Sequence, residues 1–384
     1  MNILKKSFKV TTITLALTIT TGSLVYLNSS EASTPIITLD KNSIKDANHF
    51  KKIKSLQHDP SAMNEYLSKL NTNELLETAA EFANQGEYTL DQEGLVLVSH
   101  LQKKFKVGVP FQEINNHIKD NTHNNKFRMF LIDSSTHPNN KMPVEEVLKT
   151  LYSLGIDKTE SKSIRKYALL KIRQPSTNPI RKAEQEEKLL SIFNNENETA
   201  EVRGAAITAM RRVGHPQLEG VVNAVISNPS KYSDIIVRHA VVTGAKSKIL
   251  IDKEKIKAIA SNTTNSEVYD STVYALGIQG GVKGVKSLLS LYGQGDDHIV
   301  KYSLISNKKT ILSMLNLNQT NEIISNGIKA AQIIKLHSAV NKLELIVENA
   351  TDITLQKNAE SALAEIMATP KSKFPSNSPK WEDK

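Results

Sequence analysis

Glu201-Val-Arg-Gly-Ala-Ala-Ile-Thr-Ala-Met210 is the stretch on which the fold turns. Val202, Ala205, Ala206, Ala209 and Val213 fall at i, i+3, i+4, i+7 and i+11, which is one face of an α-helix. The side chains on that face are small, so a neighbouring helix can approach closely. The pattern returns in Ile236-Val-Arg-His-Ala-Val-Val242, in Glu267-Val-Tyr-Asp-Ser-Thr-Val-Tyr-Ala-Leu-Gly277 and in Ile299-Val-Lys-Tyr-Ser-Leu-Ile305. Ala359, Ala362, Leu363 and Ile366 repeat the first part of it. The basic positions Arg128, Arg165, Arg203, Arg238 and Lys301 are separated by 37, 38, 35 and 63 residues. The last step is close to two repeats, with Asp270 as the divergent member between. Spacings in the thirties predict stacked helix pairs, each burying the face that its neighbour cannot bury alone.

Val-Arg-x-x-Ala-Ala-x-x-Ala, read onto residues 202–210, and Ala-Leu-Gly-x-x-Gly (275–280) resemble HEAT repeats, in particular the short bacterial type of phycobilisome-lyase-like proteins. The resemblance covers residues 160–310 best. It implies an all-α, right-handed α-α superhelix, a HEAT-like solenoid. HEAT repeats carry an Asp shortly before the Val-Arg pair. Asp234 and Asp297 stand in for it, whereas the repeat at Val202 has Asn and Glu there and the repeat at Val268 replaces Arg by Tyr269 and Asp270.

Working outward, capping signals divide the flanks into helices. Asp59-Pro60 and Asn178-Pro179 pair an N-cap with proline at the first helical position. Asn71 with Glu74, and Thr89 with Gln92, have capping-box spacing ahead of Leu75–Phe82 and Gly94–Phe105. No run alternates with period 2, so no sheet is expected. The predicted organisation is a signal peptide over 1–32, an irregular leader over 33–58 and divergent helical repeats over 59–158. HEAT-like repeats over 159–368 and a Pro-containing disordered tail over 369–384 complete it.

The first segment has a basic start (Lys5, Lys6, Lys9), an apolar stretch from Val10 to Leu27, and small residues Ser30 and Ala32 before a plausible cut. Export is the expectation, to the exterior or the envelope. The chain carries +9 overall; removing three lysines and Glu31 leaves 9 − 2 = +7 on residues 33–384. Such a surface favours acidic partners. The absence of cysteine excludes disulfides, thiolate catalysis and Cys-based metal sites.

Catalytic signatures are missing. There is no HExxH, GxSxG or GxxxxGK[ST], and the Ser-x-x-Lys matches at Ser163–Lys166 and Ser306–Lys309 lack accompanying motifs. His100, His117, His123 and His137 are the densest histidine set; six residues separate His117 from His123, which does not place them on one helix face. Five Asn-x-Ser/Thr matches would matter only in a eukaryotic secretory pathway.

The expected activity is therefore that of a non-enzymatic scaffold or adaptor, binding another protein on the concave face of a solenoid with no cofactor and no metal. Arg128, Arg165, Arg203, Arg238 and Lys301 are the candidate binding ladder. The structural reading of the ladder places it along the inner helices, bonding to acidic groups and loop carbonyls between repeats. A binder of anionic envelope polymer or lipid surface is the alternative, and a lyase-like enzyme on a HEAT scaffold a second; export argues against nucleic acid.

Overall fold

In the computed structural model the described residues are 48–84, 97, 100, 111–136 and 143–370. They belong to one compact unit, Leu39–Lys384. The signal peptide, the Thr89–Gln92 capping box, all of the helix expected at Gly94–Phe105 except Leu97 and His100, and the tail beyond 370 lie outside them.

Among the described residues there are α-helices and short 3-10 turns and no strand. In chain order the helices are α1 (Asn48–Ser55), α2 (Pro60–Lys69), α3 (Thr72–Asn84), α4 (Phe111–Lys119) and α5 (Asn125–Thr136). Then come α6 (Val144–Ile156), α7 (Lys162–Lys171), α8 (Pro179–Asn194), α9 (Ala200–Val213), α10 (Leu218–Ser227), α11 (Asp234–Lys246) and α12 (Lys253–Asn262). The remainder are α13 (Ser266–Gln279), α14 (Gly281–Leu291), α15 (Asp297–Ser306), α16 (Lys308–Met314), α17 (Asn321–Ile333), α18 (Val340–Asn349) and α19 (Ile353–Met367).

The capping chemistry works as its residue types require. Asp59 accepts from the N–H groups of Ser61 and Ala62, and Asn178 from those of Ile180 and Arg181. Asn71 and Glu74 complete their box in both directions, at 3.0 and 2.7 Å. Gly214 ends α9 in the left-handed region (φ 67°), and the N–H of His215 returns to the Met210 carbonyl at 2.9 Å. A side chain there would be strained, so glycine is required.

One expectation is corrected. The leader over 33–58 is not irregular throughout, because Asn48–Ser55 forms α1. Ile53 is buried, His49 meets the Tyr66 hydroxyl at 2.7 Å, and the Phe50 N–H donates to Glu81. Tertiary packing stabilises this helix.

The helices pair as α4/α5, α6/α7, α8/α9, α10/α11, α12/α13 and α14/α15, and the pairs stack. The second helices form one row, in which α5, α7, α9, α11, α13 and α15 each touch the next. Small residues set the spacing in that row. A Cβ built on Gly204 of α9 would meet the His239 ring of α11 at 2.4 Å, and one on Gly277 of α13 would meet Ser303 Cβ of α15 at 2.7 Å. Helix α11 is buried on every side from Ile236 to Ala245, as a central member of a stack must be. Beyond Ser306 the register changes: α17 packs on α14 and α16, and α19 on α17 and α18.

Candidate functional site

The ladder begins with a repeated device. Arg128 lies nine residues after the end of α4 (119 to 128) and Arg165 nine after the end of α6 (156 to 165). Each sends Nε back to a carbonyl ten residues earlier, Arg128 to Ile118 at 2.7 Å and Arg165 to Gly155 at 3.2 Å. Each presents its forked end to a glutamate of the next repeat. Arg165 donates to Glu198 at 3.0 and 2.6 Å, and Arg128 donates to both oxygens of Glu160, one of them at 3.0 Å.

The glutamates are local in design. Glu160 and Glu198 each stand immediately before the helix N-cap (Ser161, Thr199) and accept the N–H of that cap residue, at 2.7 and 2.9 Å. Burial alone would raise both carboxyl pKa values. The arginine hydrogen bonds, the backbone N–H and the arginine charge outweigh it, so both lie below their ordinary value. The side chains of the first pair are 1% and 6% exposed. Arg128 and Arg165 therefore hold adjacent repeats together. Both are buried, with their guanidinium groups turned onto these internal acceptors, as in the reading of the ladder as a contact between repeats.

Arg203 starts the same way and ends differently. It also lies nine residues after the preceding helix (194 to 203), and its Nε donates to the Phe193 carbonyl, ten back, at 2.8 Å. The residue before the next N-cap, Ser233, is Tyr232 instead of glutamate. Tyr232 stacks on Phe193 with centroids 6.2 Å apart, and the Arg203 guanidinium lies 5.7 Å from the same Phe193 ring. No carboxylate among the described residues takes the fork of this half-buried arginine.

Arg238 follows its preceding helix by eleven residues (227 to 238), because the 3-10 turn Pro229–Lys231 lengthens the link. Its guanidinium pairs with Glu267 in the first turn of α13, whose side chain is 61% exposed. Desolvation lowers the pKa of Arg238. It also lies close enough to Lys166 to add to the lowering there, after burial as the larger cause. At the next repeat the ladder position belongs to Tyr269, not Asp270: the Tyr269 hydroxyl donates to the Leu291 carbonyl at 3.0 Å. Lys301 sits over the Tyr292 ring at 5.7 Å. The five predicted residues thus do not line one groove. Two are internal clamps, one has an open fork, one pairs at the surface and one rests on an aromatic face.

A cleft of about 520 Å³ opens where the clamps cease. Its walls include Ile226, Tyr232, Val237, Ile259 and Val268, with Asp234 and Lys255 as its charged groups. The Asp234 carboxylate accepts from the Asn265 amide at 2.9 Å, and Lys255 donates to the Ser227 hydroxyl at 3.0 Å. Tyr232 is common to the cleft and to the Arg203–Phe193 group. Sequence reading missed this region. Its one signal was Tyr232 standing where the two preceding repeats place Glu160 and Glu198.

Helix α4 ends at Lys119, and the turn Asp120–His123 brings His123 back to His117, Nδ1 to Nε2 at 3.1 Å, with Asp120 3.5 Å from His123. Their separation in sequence was therefore misleading, since they do not lie on a single helix. His100 meets Asn64 at 3.1 Å, and His137 lies outside the described residues. Among the described residues no group of three or more His, Asp or Glu is placed to hold a metal ion.

No family model matches this chain, and no curated protein does. Among solved structures, the Escherichia coli protein YibA is similar at 14% identity and a TM-score of 0.40, covering 80% of this chain and 97% of its own. Human deoxyhypusine hydroxylase in complex with glycerol is similar at 12% identity and a TM-score of 0.20, covering 78% and 98%. The helical-repeat fold described above rests on the packing of this chain itself.

Proposed function

We propose that this chain is an exported, non-enzymatic interaction scaffold of the HEAT type that engages a protein partner. One observation carries the reading: two closed clamps are followed by an open arginine and a cleft. Repeats built only to stack would continue the clamp, as Arg128 and Arg165 do. The interruption at residues 193–268 leaves an aromatic, a guanidinium and a lined cleft at one place, the residue types that dominate protein interfaces. The surface is the edge carrying the turns between paired helices, in place of the concave face expected from sequence.

The test is site-directed photo-crosslinking. A photoreactive residue at Tyr232 or Lys255 should capture the same partner from the extracellular or envelope fraction, and one at exposed Ile180 of α8 should not. Equal capture at all three positions, or none at Tyr232 and Lys255, would refute the assignment. The +7 charge of residues 33–384 supports an anionic polymer or lipid surface as a second reading. That reading predicts release at high salt, whereas contacts made in the cleft persist.

A further inference from the structure

We propose that the Arg203 fork takes a carboxylate from an acidic peptide segment of a partner, laid along the edge so that its neighbouring residue covers Tyr232 and the adjoining cleft. This deepens the scaffold reading and rests on it. The repeats supply their own control. At Arg165 the acceptor is the Glu198 carboxylate, held by two donors at 3.0 and 2.6 Å, one residue before the N-cap of the next repeat. At Arg203 the backbone anchor is kept, at 2.8 Å to Phe193, so the guanidinium is aimed as before. Tyr232 now occupies the place of the glutamate and leans on Phe193, leaving the fork without an acidic group among the described residues. A planar guanidinium oriented by one backbone carbonyl and resting on an aromatic ring is set up for bidentate recognition of a carboxylate.

The remaining charges orient the ligand. Lys255 supplies a second cation at the cleft, whereas Asp234, already engaged by Asn265, disfavours an acidic group beside it. An acidic residue belongs at Arg203, and an aromatic or apolar one belongs between Tyr232 and Ile259.

The experiment is fluorescence anisotropy with a labelled deca-glutamate peptide and the full chain at low salt. Arg203→Gln should weaken binding by about tenfold or more, whereas Lys188→Gln, which removes an equal charge from an exposed site on α8, should leave it unchanged. Tyr232→Glu rebuilds the missing clamp from within. It should weaken peptide binding comparably and raise the urea midpoint, a combination that misfolding cannot produce. Native-like binding by Tyr232→Glu, an equal loss in Lys188→Gln, or no saturation by about 1 mM peptide would overturn the proposal. Displacement of the peptide by inorganic phosphate but not by acetate would assign the fork to phosphate and overturn it likewise. Partner capture at Tyr232 together with unchanged peptide binding by Arg203→Gln would sink this inference while leaving the scaffold standing.

Discussion

Arg165, after Ile164, and Arg238, after Val237, occupy the same place in their repeats yet meet different partners, and the difference lies in the link before them. Nine residues from the preceding helix let Nε reach the Gly155 carbonyl; eleven, with a 3-10 turn, carry Arg238 to Glu267 instead. The arginines were legible in the sequence, because a basic residue recurs every 35 to 38 positions from Arg128 to Arg238. Their acceptors were not, because Glu160 and Glu198 lie 32 and 33 residues further on and only the stacked fold brings them close. Titration follows from those pairs. Both carboxylates have folded pKa values below the ordinary 4.5. Their contribution is therefore complete above the unfolded value and is lost as pH falls through the lower folded one. Urea midpoints should drop between about pH 5 and pH 3, and the double variant Glu160→Gln/Glu198→Gln, weaker at neutral pH, should drop less. An unchanged acid slope in that variant would show that other groups carry the effect.

At the scale of the element, the small-residue stripe around Val202–Val213 gave the right helix and the right face. It could not say which neighbour would use the gap. The structure gives the Gly204 gap to His239, whose Nδ1 lies 2.9 Å from the Thr208 hydroxyl on the same helix as the glycine. Gly204→Val places β-branched bulk against the buried His239 ring, and should destabilise by about 1–3 kcal/mol through overpacking. Gly220 of α10, with nothing within 4 Å of a Cβ, is the control; Gly220→Ala should be neutral or slightly stabilising by helix propensity. Thermal melts of the two variants check this, and a melt of Gly204→Val equal to that of the native chain would contradict the packing. Helix α1 was missed because its stability comes from Ile53 and from bonds to Tyr66 and Glu81, none of which is local.

For the whole molecule, one sequence-periodic ladder divides into closed clamps that hold the stack and an open arginine that we propose takes a partner's carboxylate. The repeat phase made the stack legible. The division was hidden, because it depends on a single substitution, tyrosine for glutamate before an N-cap, whose meaning appears only when neighbouring repeats are compared in space. The most direct measurement is urea unfolding of Arg165→Gln beside Arg203→Gln. Arg165→Gln strands the buried Glu198 carboxylate and should cost about 3–5 kcal/mol. Arg203→Gln removes one hydrogen bond to a backbone carbonyl and should cost about 1 kcal/mol. Equal losses in the two variants, or a larger loss at Arg203, would contradict the account.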